Sequence, residues 1–238
     1  MELNILNYLN WDSQFFGYSV AKIILDNDAC NSLDELLSRL KSEKIRLTYF
    51  FVPISENRIN KLISDKGAIL VDQKTTYFKK TEKQEGYLNH IIEFQGAEIN
   101  DKLIELGLQA GLFSRFRLDV NFSQKDYERL YIEWLTKSIN KELALKTFIA
   151  LDDSVITGIT TLGVKEGVAE IGLVAVDRNF RGNGIASDLI HMAENDAYLM
   201  GFREIKVVTQ LQNKIACKLY EKCNFSIESI VNVYHYWQ

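Results

Sequence analysis

One segment constrains this chain more than any other. From Ala169 to Met200 it reads AEIGLVAVDRNFRGNGIASDLIHMAENDAYLM, a strongly apolar strand, a turn with two glycines, and an amphipathic helix. In the helix Ile185, Leu189, Met192, Ala193, Ala197 and Met200 recur at helical spacing, so one face packs on a sheet while the first turn points at a ligand. Gly201 stands at the usual C-terminal stop. Gly182 and Gly184 let backbone N–H groups turn inward, and the helix N-terminus adds the positive end of its dipole. Strand, glycine turn and helix together make an anion site.

The elements around this segment define an α/β chain. Strand patterns near Asn4 to Leu9 and Tyr18 to Leu25 precede a helix opened by Asn31 or Ser32, with Leu33, Leu36, Leu37 and Leu40 on one face. A β-rich run from Arg46 to Val52, a polar helix near Glu56 to Asp65 and a strand from Ala68 to Phe78 follow. The hydrophilic TEKQEG, residues 81 to 86, is the expected linker, dividing a smaller α/β domain, 1–85, from a larger one, 86–238. The larger begins with a strand at His90 to Phe94 and helices at Asn100 to Gln109 and Gln124 to Asn140. Lys146 to Leu151, Ser154 to Leu162 and Ala169 to Val176 then form an antiparallel meander turning at Asp152-Asp153 and Lys165-Glu166-Gly167. A helix from Asn183, a strand from Arg203 to Thr209, a helix from Asn213 to Lys222 and a strand from Phe225 to Tyr236 complete a mixed sheet flanked by helices.

Composition narrows the function. With 28 basic and 32 acidic side chains and a net charge of -4, the chain lacks the positive surface that nucleic acid or anionic lipid requires. No apolar run spans a membrane and the first residues carry no export signal. Three cysteines, Cys30, Cys217 and Cys223, make no disulfide framework, which points to a reducing cytoplasm. His90, His191 and His235 are too scattered for a metal site, and no metal is expected. The glycine turn also fits neither alternative phosphate loop. No Gly-x4-Gly-Lys-Ser/Thr string exists, and Gly182-x-Gly184 is followed by Ser187 where the dinucleotide fingerprint needs glycine.

Arg181-x-x-Gly184-x-Ala186 resembles the Arg/Gln-x-x-Gly-x-Gly/Ala signature with which GNAT acetyltransferases hold the coenzyme A pyrophosphate. Downstream, Asn213-x-x-Ala216-x-x-x-Tyr220-x-x-x-Asn224-Phe225 is similar to the second motif of that family, Asn224 replacing a glycine in the left-handed C-cap. The usual proline before the arginine is absent, with Asp177-Arg178 in its place. The resemblance covers about residues 144 to 238 and implies the GNAT acyl-CoA N-acyltransferase fold with a splayed central sheet. It also implies acetyl-CoA as co-substrate, held by Leu173, Val174 and Val176 along the strand, by Arg181, Gly182, Asn183, Gly184, Ile185 and Ala186 in the loop and first turn, and by Asn213.

Two side chains carry the implied chemistry. Tyr220 is a neutral phenol able to donate a proton to the departing sulfur, or else a buried helix aromatic. Glu170, within Ala169-Glu170-Ile171, matches the position where some GNAT enzymes keep a general base; others use water relays, and a strand-edge carboxylate facing solvent is the alternative. Phe113, Arg115 and Arg117 lie where GNAT enzymes bend over the acceptor, and paired arginines beside aromatics suit a phosphate and a base or sugar. Trp11-Asp-Ser-Gln-Phe15-Phe16-Gly17, the Ser114-Arg115-Phe116-Arg117 string and the C-terminal half are similar to bacterial acetyltransferases of the TDP-fucosamine type, which modify the amino group of a TDP-linked 4-amino-6-deoxysugar. The expected activity is therefore N-acetylation of such a small-molecule amine. A protein or peptide acceptor and a non-catalytic coenzyme A binding module are the alternatives, and oligomeric state stays open, a homodimer included.

Overall fold

A computed structural model describes residues 6–25, 32–83, 88–96 and 98–238. The expected positions Asn4, Cys30 and Asn31, and residues 84–86 of the linker segment, lie outside the described residues. The chain forms two compact units, residues 1–75 with 229–238, and residues 76–228.

In the first unit β1 (Leu6–Tyr8), α1 (Asn10–Phe16), β2 (Val20–Ile24), α2 (Leu33–Ser42), β3 (Leu47–Pro53) and α3 (Asn57–Asp65) precede β4 (Ile69–Lys80). Strand β1 is antiparallel to β2, which is parallel to β3, and β3 takes residues 231–237 as its antiparallel partner. Leu33, Leu36 and Leu40 of α2 and Ile59 and Ile63 of α3 pack on Ala21, Ile23, Phe50 and Val52 in one core. Helix α1 is seven residues long and has no buried residue, which is why the sequence pattern passes over it; Gly17, at φ 77°, ends it.

In the second unit the elements are β5 (Ile91–Glu93), α4 (Asp101–Ala110), α5 (Arg115–Leu118), α6 (Gln124–Ile139), β6 (Lys146–Asp152), β7 (Val155–Lys165), β8 (Val168–Val176), α7 (Ile185–Leu199), β9 (Glu204–Gln210), α8 (Lys214–Lys222) and the start of β10 (Ser226–Trp237). Strands β5 to β8 form an antiparallel meander, and β9 joins β8 in parallel. Both β6–β7 and β7–β8 turn on two residues of positive φ, Asp153-Ser154 and Glu166-Gly167, the backbone that matches strand twist in a tight hairpin. Helices α4 and α6 bury Leu103, Leu106 and Leu135 with Ile149, Ile159 and Ala175. Helices α7 and α8 bury Leu189, Ile190, Ala193, Cys217 and Tyr220 in a separate cluster with Ile171 and Val207. Thr81 does not belong to a free linker. It is 8% exposed, its N–H donates to the Arg203 carbonyl at 3.0 Å and its hydroxyl to the Phe202 carbonyl at 2.6 Å. A hydroxyl and an amide with nearby partners bury as readily as an apolar side chain, a route that composition does not reveal.

Candidate active site

The site begins with an irregularity in β8. Thr160 faces Val174 and Leu162 faces Ile171, so Gly172 and Leu173 together oppose Thr161 in a β-bulge. The Leu173 N–H donates to the Thr161 hydroxyl at 2.9 Å. A Cβ on Gly172 would stand 2.6 Å from that same oxygen, so this approach admits only glycine. On its other edge β8 pairs with β9 only from Ala169 to Ile171. Beyond the bulge that edge has no strand partner among the described residues, in line with the expected splaying of the sheet.

A cleft of about 340 Å³ lies along the free edge, lined there by Val174, Ala175 and Val176. Its mouth is the 177–184 loop. Asp177, 3% exposed, accepts the Asn179 N–H at 2.7 Å and caps a 3-10 turn over Arg178–Phe180. It also pairs with Lys102 of α4. The Lys102 ammonium and then the Asn179 N–H hold the Asp177 carboxyl below its ordinary value. A capping carboxylate thus shapes the turn where the family's proline is missing. Arg181 folds back, donating from Nε to the Val176 carbonyl at 3.0 Å and from a terminal nitrogen to Gln109 Oε1 at 2.9 Å.

Gly182 and Gly184 sit at φ 88° and 84°, with nothing within 4 Å of a Cβ at either. Backbone conformation requires glycine there, and open space lies beside it. Gly184 is the N-cap of α7, whose first residues Ile185, Ala186 and Ser187 line the cleft beside it. The unpaired N–H groups of a helix's first turn suit a phosphate.

The opposite wall is α8. Asn213 caps it, accepting the Ala216 N–H at 3.2 Å. Asn224, φ 64°, ends it: its N–H donates to the Glu221 carbonyl and the Phe225 N–H to the Tyr220 carbonyl, both at 3.0 Å. This is the paired ending that the left-handed asparagine permits, with its usual apolar contact, since the Tyr220 and Phe225 rings lie 6.2 Å apart. Tyr77 packs on Tyr220 at 5.6 Å and donates its hydroxyl to Glu221 at 3.0 Å. Tyr220 packs between Tyr77 and Phe225 and reaches the cleft, and its hydroxyl makes no hydrogen bond among the described residues. Burial, with the Cys217 and Cys223 sulfurs adding to it, pushes its phenol above the ordinary value, so it stays protonated.

Ten of the expected residues therefore line one cleft: Val174, Val176, Arg181, Gly182, Gly184, Ile185, Ala186, Asn213, Tyr220 and Phe113. Five are placed elsewhere. Leu173 gives its N–H to Thr161 and packs with the α4 and α6 core. Asn183 donates its amide to the Phe180 carbonyl at 3.3 Å. Glu170 stands in the still-paired part of β8, half-buried, in register with Lys206, on the face opposite Ala169 and Ile171. The Arg115 guanidinium lies 4.6 Å from the Phe116 ring centroid, and Arg117 lines a neighbouring groove. Sequence reading missed Thr161, Gly172, Asp177, Lys102 and Gln109. A glycine inside a strand pattern signals a bulge and would have found Gly172; the partners of Asp177 and Arg181 come from α4, distant in sequence. Among the described residues no group of three or more His, Cys, Asp or Glu is placed to hold a metal, and no helix is long and apolar enough to cross a membrane.

The spore coat polysaccharide biosynthesis protein SpsD of Bacillus subtilis is 26% identical over 137 residues, covering 58% of this chain and 47% of that protein. An uncharacterised N-acetyltransferase of Methanocaldococcus jannaschii is 32% identical over 117 residues, covering 46% of this chain and 50% of that protein. The chain spans about half the length of these relatives. A GCN5-related N-acetyltransferase from Sphaerobacter thermophilus superposes over 98% of this chain and 76% of its own, with TM-score 0.62 and 15% identity, which establishes the fold. The family model described as Acetyltransferase (GNAT) family matches residues 108–225. That match takes in the bulge, the glycine loop and the capped α8, and residues 108–225 belong to the GNAT family of acetyltransferases.

Proposed function

We propose that the chain is an acetyl-CoA-dependent N-acetyltransferase that moves acetyl to the primary amine of a nucleotide-linked amino-deoxysugar. The observation that carries the transferase reading is the convergence on one cleft of an anion-binding loop, a free strand edge and a protonated, unpartnered tyrosine. Acetyl-CoA supplies an activated thioester. The chain's residues fit it: the loop is open beside both glycines, and the free edge of β8 can pair with an extended pantetheine arm as an added strand would.

Gly182, Gly184 and the first turn of α7 hold the pyrophosphate, with Arg181 and Asn213 at its sides. Val174 and Val176 align the arm, and a backbone N–H near Val174 faces the negative charge that develops on the acetyl oxygen. Tyr220 Oη gives its proton to the leaving sulfur, a role for which a phenol kept neutral by burial is suited. Glu170 takes a proton from the incoming amine through water, since it stands apart from the cleft lining. Phe113, at the α4–α5 junction, covers the acceptor. The sugar acceptor rests on the resemblance of Trp11–Gly17 and Ser114–Arg117 to the TDP-fucosamine type, and on the polysaccharide role that the name of the Bacillus subtilis relative states. Cys217 and Cys223 are free and buried, in keeping with a cytoplasmic setting.

The test is free thiol release from acetyl-CoA with TDP-linked aminosugars, unlinked aminosugars and peptide amines. Turnover that is highest with the nucleotide-linked sugars is expected. Equal or greater turnover on peptides would overturn the acceptor and leave the transferase; no thiol release with any amine would overturn the transferase.

A further inference from the structure

Beside the cleft runs a second groove of about 440 Å³, formed by α4, α5, the start of α6 and the 177–184 loop. Three arginines from separate segments line it, Arg117, Arg178 and Arg181. None forms an ion pair with a carboxylate among the described residues, although the Arg178 charge adds to the forces that lower the Asp177 carboxyl. Arg117 donates to the Leu112 carbonyl at 3.1 Å and lies 5.9 Å from the Tyr127 ring centroid. Arg181 is held by the Val176 carbonyl and the Gln109 amide oxygen, and Arg178 makes no hydrogen bond or ion pair among the described residues. Glu105, the carboxylate in the lining, already accepts from Lys102 at 2.9 Å and from Gln109 at 3.0 Å. On a chain of net charge -4 this is a local reversal of sign. Converging guanidinium groups repel one another, and an anion between them turns that cost into attraction.

We propose that this groove is a phosphoryl-binding site distinct from the cradle made by Gly182, Gly184 and the first turn of α7, with Arg117 and Arg178 as its specificity-determining residues. A planar guanidinium matches two phosphate oxygens at once, and three of them from different directions suit a phosphate monoester or a diphosphate. The sequence pairs Arg117 with Arg115, but the Arg115 guanidinium lies against the Phe116 ring; Arg178, from the loop, takes its place. The groove shares Gln109, Leu112 and Arg181 with the cleft and none of Val174, Val176 or Tyr220. A phosphoryl group held there belongs to the far end of a molecule whose reacting end lies elsewhere. Resting on the acetyl-CoA reading of the cleft, the proposal admits two sources of one chemistry: the 3′-phosphate of the coenzyme, or the phosphates of a nucleotide-linked acceptor.

The experiment measures, by calorimetry, coenzyme A against dephospho-coenzyme A and TDP against thymidine, on the wild type and on R117Q, R178Q and the double variant. Both side chains are exposed, so folding is retained, which a melting curve verifies. Wild type should prefer the phosphorylated member of one pair by about tenfold or more, the scale of charge-assisted hydrogen bonds. The double variant should lose that preference and bind the dephosphorylated member as wild type does, and the discriminating pair names the source. No preference in either pair, or equal weakening of both members, would overturn the groove. Dephospho-coenzyme A that binds with the preference absent refutes the groove alone. No binding of either coenzyme form refutes the cleft reading and the groove with it.

Discussion

Gly172→Ala should disable the protein through one oxygen atom. The added methyl would stand 2.6 Å from Thr161 Oγ1, which is 2.9 Å from the Leu173 nitrogen it accepts from. Thr161 is 2% exposed and cannot swing into solvent. Either the hydroxyl moves and leaves the Leu173 N–H unpaired, about 1–3 kcal/mol, or the strands part, about 1–3 kcal/mol as overpacking. By either route the loss is about 1–3 kcal/mol. Thr161→Ala alone forfeits the hydrogen bond, about 1–2 kcal/mol. In the double variant the clash is gone, because the remaining neighbour, the Cβ at position 161, is 4.0 Å away, an ordinary contact. The double variant should then match Thr161→Ala, so the coupling equals the whole Gly172→Ala loss, about 1–3 kcal/mol. Urea unfolding of the four proteins at unchanged m-value measures this, with acetyl-CoA affinity as a parallel readout of β8. Additive losses within about 0.5 kcal/mol, or wild-type stability for Gly172→Ala, would refute the account of the bulge.

Four further outcomes are expected. Tyr220→Phe keeps the ring between Tyr77 and Phe225 and removes the proton donor, so kcat should fall about 100-fold or more with acetyl-CoA affinity unchanged; wild-type turnover would exclude the acid role. Glu170→Gln should slow turnover most at low pH, where the amine is protonated, with the defect shrinking as pH rises; a pH-independent defect marks a structural glutamate. The Asp177 carboxyl is depressed in the folded chain, so its stabilising contribution is present above the ordinary carboxylate value and lost as pH falls through the folded one. Asp177→Asn should therefore lower stability at neutral pH and flatten the acid side of the stability profile, as thermal melts across pH 2–7 would record. Acetyl-CoA at about 100 times its dissociation constant should add about 2.7 kcal/mol by mass action, and a flat melting temperature would contradict binding in the cleft.

The strands and helices of the second unit were legible because their signals are local. Leu189 and Ala193 mark a helix face, Asp152-Asp153 marks the first hairpin one residue early and Lys165-Glu166-Gly167 the second, and Asn213 and Asn224 mark two ends of one helix. The cleft lining was legible for the same reason, since most of it lies within two short motifs. What could not be read depends on partners far apart in sequence. The fold-back of Arg181 needs Gln109, the charge of Asp177 needs Lys102, and the sequence neighbours Arg115 and Arg117 separate, one onto an aromatic ring and one into a groove. Helix α1 escaped because it buries nothing and so imposes no pattern.

The pairing of β3 with residues 231–237 bears on the order in which the chain can acquire its structure. The meander and its two hairpins join neighbours, so β6, β7 and β8 can associate as soon as residue 176 has been made. Strand β3 must wait for a partner synthesised some 180 positions later, a closure that is entropically slow. Until then its Phe50 and Val52, buried in the finished unit, have an unfilled edge beside them. During synthesis, the unit made first is the one completed last, and its edge stays open to mispairing until residues 231–237 arrive.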